Sequence, residues 1–269
     1  MRIGVVAPST PIDREVADRV LALAAAAFPE VELLFHRQCF AVHNHFAGPD
    51  AERAEAFLEV ANDAGFDALW FARGGYGSCR IAEDVLARLG PAARAKAYLG
   101  YSDAGFLLAG LYAAGFADVA HGPMPGDVKR PDGEGAIARA LMWLTARDAA
   151  ALEPGLAGSR NAAFNITVLS QLLGTPLQPD LGGHVLLIEE VAEYMYRIDR
   201  SMFHITSNPT VRRAAGIRLG RCSDIPANDR DFGEGEEQVV RHWCARSGIP
   251  YLGRADIGHD AANKVVPFG

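Results

Sequence analysis

A chain of 269 residues that is 49% hydrophobic and 22% charged can bury one large core or two modest ones, and it is too apolar for wholesale disorder. Its formal charge of −7 argues against nucleic acid as the main partner, because binding a phosphate backbone calls for a basic surface. Four cysteines without C-x-x-C spacing indicate neither a disulfide framework nor a zinc site, and no apolar run approaches a membrane span or a signal-peptide core, so a cytoplasmic location without membrane contact is expected.

Ile3 to Ala7 reads as a buried strand, closed by Pro8-Ser9-Thr10-Pro11. The pattern predicts a helix over Asp13–Ala27, a strand over Val31–Phe35, a long loop from His36 to Gly48 and a helix opening at Asp50. Asp67 to Ala72 is a third strand, apolar nearly throughout. Alternating strands and helices with continuously apolar strands predict a parallel sheet covered on both faces. A further strand is expected near Asp118–His121 and a helix over Gly133–Ala146. Residues 148–161, containing Pro154, Gly155, Gly158 and Ser159 and without a clear period, read as a linker between an N-terminal domain, 1–147, and a C-terminal domain, 162–269. The second half predicts helices over Phe164–Leu173, Tyr196–Ile205 and Glu234–Ser247, strands at Val185–Ile188, Ile217–Leu219 and Tyr251–Leu252, and a last short strand within Lys264–Phe268.

In parallel sheets, sites form in the loops after the carboxyl ends of strands. Three such loops stand out: Ala7-Pro8-Ser9, Arg73-Gly74-Gly75-Tyr76-Gly77-Ser78, and Gly100-Tyr101-Ser102-Asp103-Ala104. A serine at a strand-to-helix turn exposes its hydroxyl at the tip of a bend, where the next backbone N–H groups can face a developing oxyanion. Ala104 stands where the G-x-S-x-G pattern has its second glycine, and an N-cap serine would do the same local job without chemistry.

A nucleophilic serine needs a base. Of eight histidines, His259 is the best placed, in the glycine-supported loop Gly258-His259-Asp260 after a predicted strand. His121, at a strand end, is a candidate for substrate contact. His43-Asn44-His45 has the look of a metal pair but lacks a third ligand, so neither a metal nor a cofactor is expected. Glu189 and Glu190, ending the apolar strand 185–188, are candidate carboxylates to orient the histidine.

Together these segments resemble the LD-carboxypeptidase family, the murein tetrapeptide carboxypeptidases. The resemblance runs from Gly4-Val5-Val6-Ala7-Pro8-Ser9 through Arg73-Gly74-Gly75-Tyr76-Gly77, Gly100-Tyr101-Ser102-Asp103 and His121-Gly122-Pro123. It continues through Leu172-Leu173-Gly174-Thr175-Pro176, Ile188-Glu189-Glu190 and Tyr196-Arg197-Ile198-Asp199-Arg200 to Gly258-His259 and Asn263. It implies a flavodoxin- or Rossmann-like parallel α/β domain followed by a smaller mixed α/β swivelling domain. It implies a triad of Ser102, His259 and Glu189, with Glu190 as the fallback acid, and an oxyanion hole of the Gly75 and Asp103 N–H groups. The implied activity is removal of the terminal D-alanine from a murein tetrapeptide by a cytoplasmic homodimer during cell-wall recycling. Arg73 is a candidate for the substrate carboxylate. Ala104-Gly105 and Ala163-Phe164-Asn165 depart from the family's usual residues. The alternatives are a self-immunity peptidase acting on peptidyl-nucleotide antibiotics, for whose extra loop the chain has no obvious room, and a non-catalytic muropeptide-binding module.

Overall fold

The computed structural model describes residues 1–269. Strand and helix alternate through the first half: β1 (Arg2–Val6), α1 (Arg14–Ala27), β2 (Glu32–Phe35), α2 (Asp50–Asn62), β3 (Ala68–Phe71), α3 (Ala82–Ala87), β4 (Ala97–Gly100), α4 (Gly105–Ala113), β5 (Val119–His121) and α5 (Gly133–Ala146). The strands pair in parallel in the spatial order β2-β1-β3-β4-β5. Around β3 the sheet has no wet face. Ala68, Trp70 and Ala72 join Val16, Val20, Ile137 and Trp143 on one side, and Leu69 and Phe71 join Phe57 and Tyr98 on the other. Side chains alternate across a strand, so burial on both sides demands an unbroken apolar run.

The second half adds β6 (Arg160–Asn165), α6 (Ile166–Leu172), β7 (His184–Val191), α7 (Met195–Ser207), β8 (Gly216–Ser223), α8 (Glu236–Ser247), β9 (Tyr251–Arg254) and β10 (Val266–Pro267). Strands β6-β7-β8-β9 form a second, smaller sheet, parallel throughout. The fold class expected from the sequence is the one observed. The core on the Phe71 side of the first sheet runs on without a break into Leu169, Ile188 and Ile198 of the second half.

Two elements differ from expectation. Residues 160–165 form β6, where the sequence reads as the end of a linker and the start of a helix. Alanine and asparagine have little strand preference, and pairing with β7, Ala162 opposite Leu186, overrides it. Asn165 then ends the strand and caps α6, its side chain accepting from the Val168 N–H at 3.1 Å. Strand β7 also continues past Ile188 through both glutamates to Val191, with a register shift against β8 between Ile188 and Glu190.

The C-terminal strand does not stay with the second sheet. β10 pairs antiparallel with β5 and becomes the edge strand of the first sheet. Phe268, 4% exposed, sits edge-on to Phe164 of β6 and Tyr112 of α4, with ring centroids 5.2 and 5.6 Å away. Residues 148–155 are pinned beside this tail: the Glu153 N–H donates to Val265 O at 3.0 Å, and the Glu153 carboxylate accepts from Arg218 of β8 at 2.7 Å. The tail thus welds the halves. Phe268→Ala is expected to cost roughly 3 kcal/mol or more of unfolding free energy. Val42→Ala, at a position 74% exposed, is expected to cost about 0.5 kcal/mol or less. Urea unfolding followed by circular dichroism measures both, and equal effects would mean that the tail does not hold the halves together.

Candidate active site

Ser102 follows β4 and opens the turn into α4. Its φ of +58° puts a non-glycine residue in the left-handed region, a strained conformation that persists only where the surroundings impose it. Those surroundings are the three loops singled out in the sequence. The Asp103 carboxylate, buried beneath the turn, accepts from Ser9 Oγ at 2.5 Å and from the Ser78 N–H at 2.8 Å. Ser78 Oγ donates to the Asp103 carbonyl at 2.5 Å, and Thr10 Oγ1 donates to the Gly74 carbonyl at 2.7 Å. Burial pushes the Asp103 carboxyl up, against the lowering effect of the Ser9 and Ser78 hydrogen bonds.

The glycine loop lies directly against the serine. A Cβ on Gly74 would come within 2.7 Å of Ser102 Oγ, and Gly75 has φ +107°, so neither position takes a side chain without displacement. Arg53 of α2, 1% exposed, braces this loop from behind. It donates to Gly77 O at 2.9 Å and to Pro8 O, and it is ion-paired to Asp50 at 2.5 Å.

The two glutamates of β7 point to opposite faces of the strand, as adjacent strand residues must. Glu189, fully buried, accepts from His259 Nδ1 at 2.5 Å. Glu190 turns away: its carboxylate accepts from Asn165 Nδ2 at 2.6 Å, the Thr167 N–H at 2.9 Å and Thr167 Oγ1 at 2.7 Å. Of the pair, Glu189 is the one that meets the histidine. His259 is 8% exposed and its Nε2 has no protein partner. Burial disfavours the imidazolium, but the charge and hydrogen bond of Glu189 outweigh it and hold the His259 pKa above the ordinary 6.5.

The His259 loop is fastened on several sides. Asn263 Oδ1 accepts from the Gly258 N–H and pairs with His121 Nε2, both at 3.2 Å. Arg139 of α5 donates to the carbonyls of Ala261 and Asn263 at 2.9 Å, and Arg221 of β8 holds Asp256 and Asp260. The Tyr101 ring packs on the His259 imidazole at 4.8 Å between centroids. Tyr101 Oη donates to Asp127 Oδ1 at 2.7 Å.

Ser102 and His259 line one cavity of about 460 Å³, with Gly74, Gly75, Arg73 and Arg130. Ser102 and Gly75 also face a second cavity of about 610 Å³, lined by Glu83, Glu190 and Glu193. His121, a candidate for substrate contact, is buried behind Tyr101, where burial lowers its pKa to about 4 and keeps it neutral. His43 and His45 are exposed, and no group of three or more His, Cys, Asp or Glu is arranged to hold a metal. Arg73 lines the cavity but is exposed, with a single long contact of 3.4 Å to Pro11 O. Arg53, Asp127 and Arg130 escape the sequence reading, because a lone charge in a helix or a polar turn looks like solvated surface until its partners are known.

Residues 3–122 match the model of the LD-carboxypeptidase N-terminal domain, and residues 161–269 match that of the LD-carboxypeptidase C-terminal domain. A Synechocystis sp. protein named as a carboxypeptidase is 32% identical over 277 residues, covering 100% of this chain and 89% of its own. The murein tetrapeptide carboxypeptidase of Pseudomonas aeruginosa is 24% identical over 289 residues, covering 100% and 91%. Two solved structures share the fold. Muramoyltetrapeptide carboxypeptidase from Oxalobacter formigenes aligns with a TM-score of 0.83 at 23% identity, over 99% of this chain and 93% of its own. Microcin C7 self immunity protein MccF, in complex with aspartyl sulfamoyl adenosine, aligns at 0.81 and 19% identity, over 100% and 91%. With both halves matched by the family's two domain models, and a relative above 30% identity spanning its whole length, the chain belongs to the LD-carboxypeptidase family of serine-type peptidases.

Proposed function

We propose that the protein removes the terminal D-alanine from murein tetrapeptides with Ser102 as nucleophile, His259 as base and Glu189 as its orienting carboxylate. The observation that carries this reading is the buried His259–Glu189 bond, in which Nδ1 is taken and Nε2 has no protein partner, on a histidine that lines the same cavity as Ser102. Glu189 bonds to Nδ1 and so selects the tautomer whose Nε2 accepts a proton. Ser102 Oγ attacks the carbonyl carbon before the terminal residue while its proton passes to His259 Nε2. The carbon–nitrogen bond then breaks, and the imidazolium returns the proton to the leaving amine. Water, deprotonated by the same histidine, hydrolyses the acyl-serine. The Gly75 and Asp103 N–H groups supply the oxyanion hole, each donor being worth roughly 3 kcal/mol in comparable enzymes. The proposal places the enzyme in the cytoplasm, as a homodimer, in cell-wall recycling; no helix of the chain is long and apolar enough to cross a membrane.

The first test is mass spectrometry of a disaccharide-tetrapeptide and of the free tetrapeptide. Wild type should release one alanine, and Ser102→Ala should lower kcat by roughly 10⁴-fold or more. Release by both proteins would assign the nucleophile elsewhere. Release by neither would direct the search to a peptidyl-nucleotide or to a binding module.

The pH profile tests the acid. His259 serves as a base only when neutral, and its folded-state pKa is raised, so kcat/KM should climb with pH through a midpoint above 6.5. Glu189→Gln removes the stabilising charge and should move that midpoint down, while Glu190→Gln should leave it in place. A midpoint that follows Glu190 instead would reverse the assignment.

A further inference from the structure

The two cavities that meet at Ser102 carry opposite charge. One holds Arg73, Lys129 and Arg130, with Asp127 as its only acid; the other is lined by Glu83, Asp103, Glu190 and Glu193 and by no base, although Glu193 is paired with Arg197 at 3.6 Å. They share Gly75, Ser102 and Val191, so a peptide with its scissile carbonyl at Ser102 can extend into both. A carboxypeptidase substrate ends in a carboxylate one residue beyond the scissile bond. That carboxylate is repelled by the glutamate side and drawn to the arginine side, which orients the substrate before any specific contact is considered.

The three cations of the basic cavity are not equivalent. Lys129 is neutralised by Asp13, and both side chains are more than half exposed, so its charge is largely spent on that pair and on water. Arg73 is exposed and unanchored apart from the long contact to Pro11 O. Arg130 is different: its Nε donates to Asp127 Oδ1 at 2.9 Å, and Asp127 is itself immobilised. Asp127 Oδ1 also accepts from Tyr101 Oη at 2.7 Å, and Oδ2 accepts from the Met124 N–H at 2.8 Å. The Asp127 side chain is 6% exposed and that of Arg130 34%, so the anchor is buried while the guanidinium still reaches the cavity it lines.

We propose that Arg130 binds the terminal carboxylate of the departing residue. The assignment rests on the carboxypeptidase reading of Ser102 and His259. The Asp127 bond occupies Nε, which leaves the Nη groups for a carboxylate, and a guanidinium already held on one edge loses little freedom when it binds. The same anchor sets its position relative to the base. Tyr101 bonds Asp127 through its hydroxyl and packs its ring on His259, so Arg130, Asp127, Tyr101 and His259 form one connected set of side chains. A carboxylate fixed at Arg130 therefore fixes the leaving nitrogen with respect to the group that protonates it. A chain that continued past this residue would present a neutral amide here in place of the carboxylate, so the same contact selects exopeptidase over endopeptidase cleavage.

The test compares tetrapeptide with its C-terminal amide, using wild type, Arg130→Gln, Arg130→Lys and Arg73→Gln. Wild type should prefer the acid by roughly 10- to 100-fold in kcat/KM, the scale of a charged hydrogen-bonded pair. Arg130→Gln should lose that much on the acid, chiefly through KM, and little on the amide, so that the acid-to-amide ratio falls towards one. Arg130→Lys keeps the charge without the fork and should fall between them, and Arg73→Gln should keep the full ratio. A full ratio in either Arg130 variant, or its collapse in Arg73→Gln, overturns the assignment. If wild type turns over and Ser102→Ala does not, such a result leaves the carboxypeptidase reading standing. If wild type releases no alanine from the acid, that reading and this one fall together.

Discussion

The buried bond between His259 and Glu189 is the interaction on which the rest of the structure depends. A carboxylate with no exposure is costly unless a partner compensates it, and removing one partner of a buried pair leaves the other stranded. Glu189 has that compensation on one side only: Oε2 accepts from His259 Nδ1, while Oε1 has no protein partner. The raised histidine pKa follows from this bond, since the Glu189 charge stabilises the imidazolium. Folding adds a sign to this. A group whose pKa is raised in the folded state contributes stability below its unfolded value of about 6.5, and that contribution is lost as pH rises through the folded value. The pH range in which His259 is neutral is therefore the range in which its pairing stabilises the fold least.

Such a pair has to be held by something other than its own energy, and the surrounding loops supply it. The His259 loop is tied to the first half through Arg139 and through the His121–Asn263 pair, and to β8 through Arg221. The Ser102 turn is tied separately, by Asp103 reaching Ser9 and Ser78 and by Arg53 bracing the glycine loop beyond. A left-handed serine is tolerable because the Asp103 carboxylate beneath it makes buried hydrogen bonds that a relaxed turn would forfeit. Gly105, where the sequence departs from the family's usual residue, has a packing role of its own. A Cβ there would meet Val168 Cγ1 of α6 at 3.0 Å, so the missing side chain lets the helix that follows Ser102 lie close against the second half.

What could be read from the sequence was what depends on local pattern. The apolar runs of β1 and β3 require burial on both faces, and the serine at the end of β4 sits where a strand gives way to a helix, so the first sheet and the three loops above it were legible. The choice between Glu189 and Glu190 was not legible, because it depends on how far β7 runs before it ends. Once the strand includes both, alternation sends one to His259 and the other to Thr167. Strand β6 was hidden because Asn161, Ala162 and Ala163 have no strand preference of their own. Asp127 and Arg130 were hidden for a different reason: three residues apart in a polar turn, they look like any exposed ion pair until Tyr101 closes over the acid.

The crossing of β10 bears on how the site stays assembled. A hinge at residues 148–161 would suit a site whose serine comes from one half and whose glutamate and histidine come from the other. The chain after His259 works against free motion there, because it returns to the first sheet, pairs with β5 and buries Val266 and Phe268. Parting the halves would break that ladder, expose the Phe268 contacts with Tyr112 and Phe164, and strip Arg139 from the two carbonyls that it caps. Those losses fall on the loop that carries His259. Opening would therefore cost the histidine its position before it gave a substrate more room, and access to Ser102 is better served by the cavities already on its two sides.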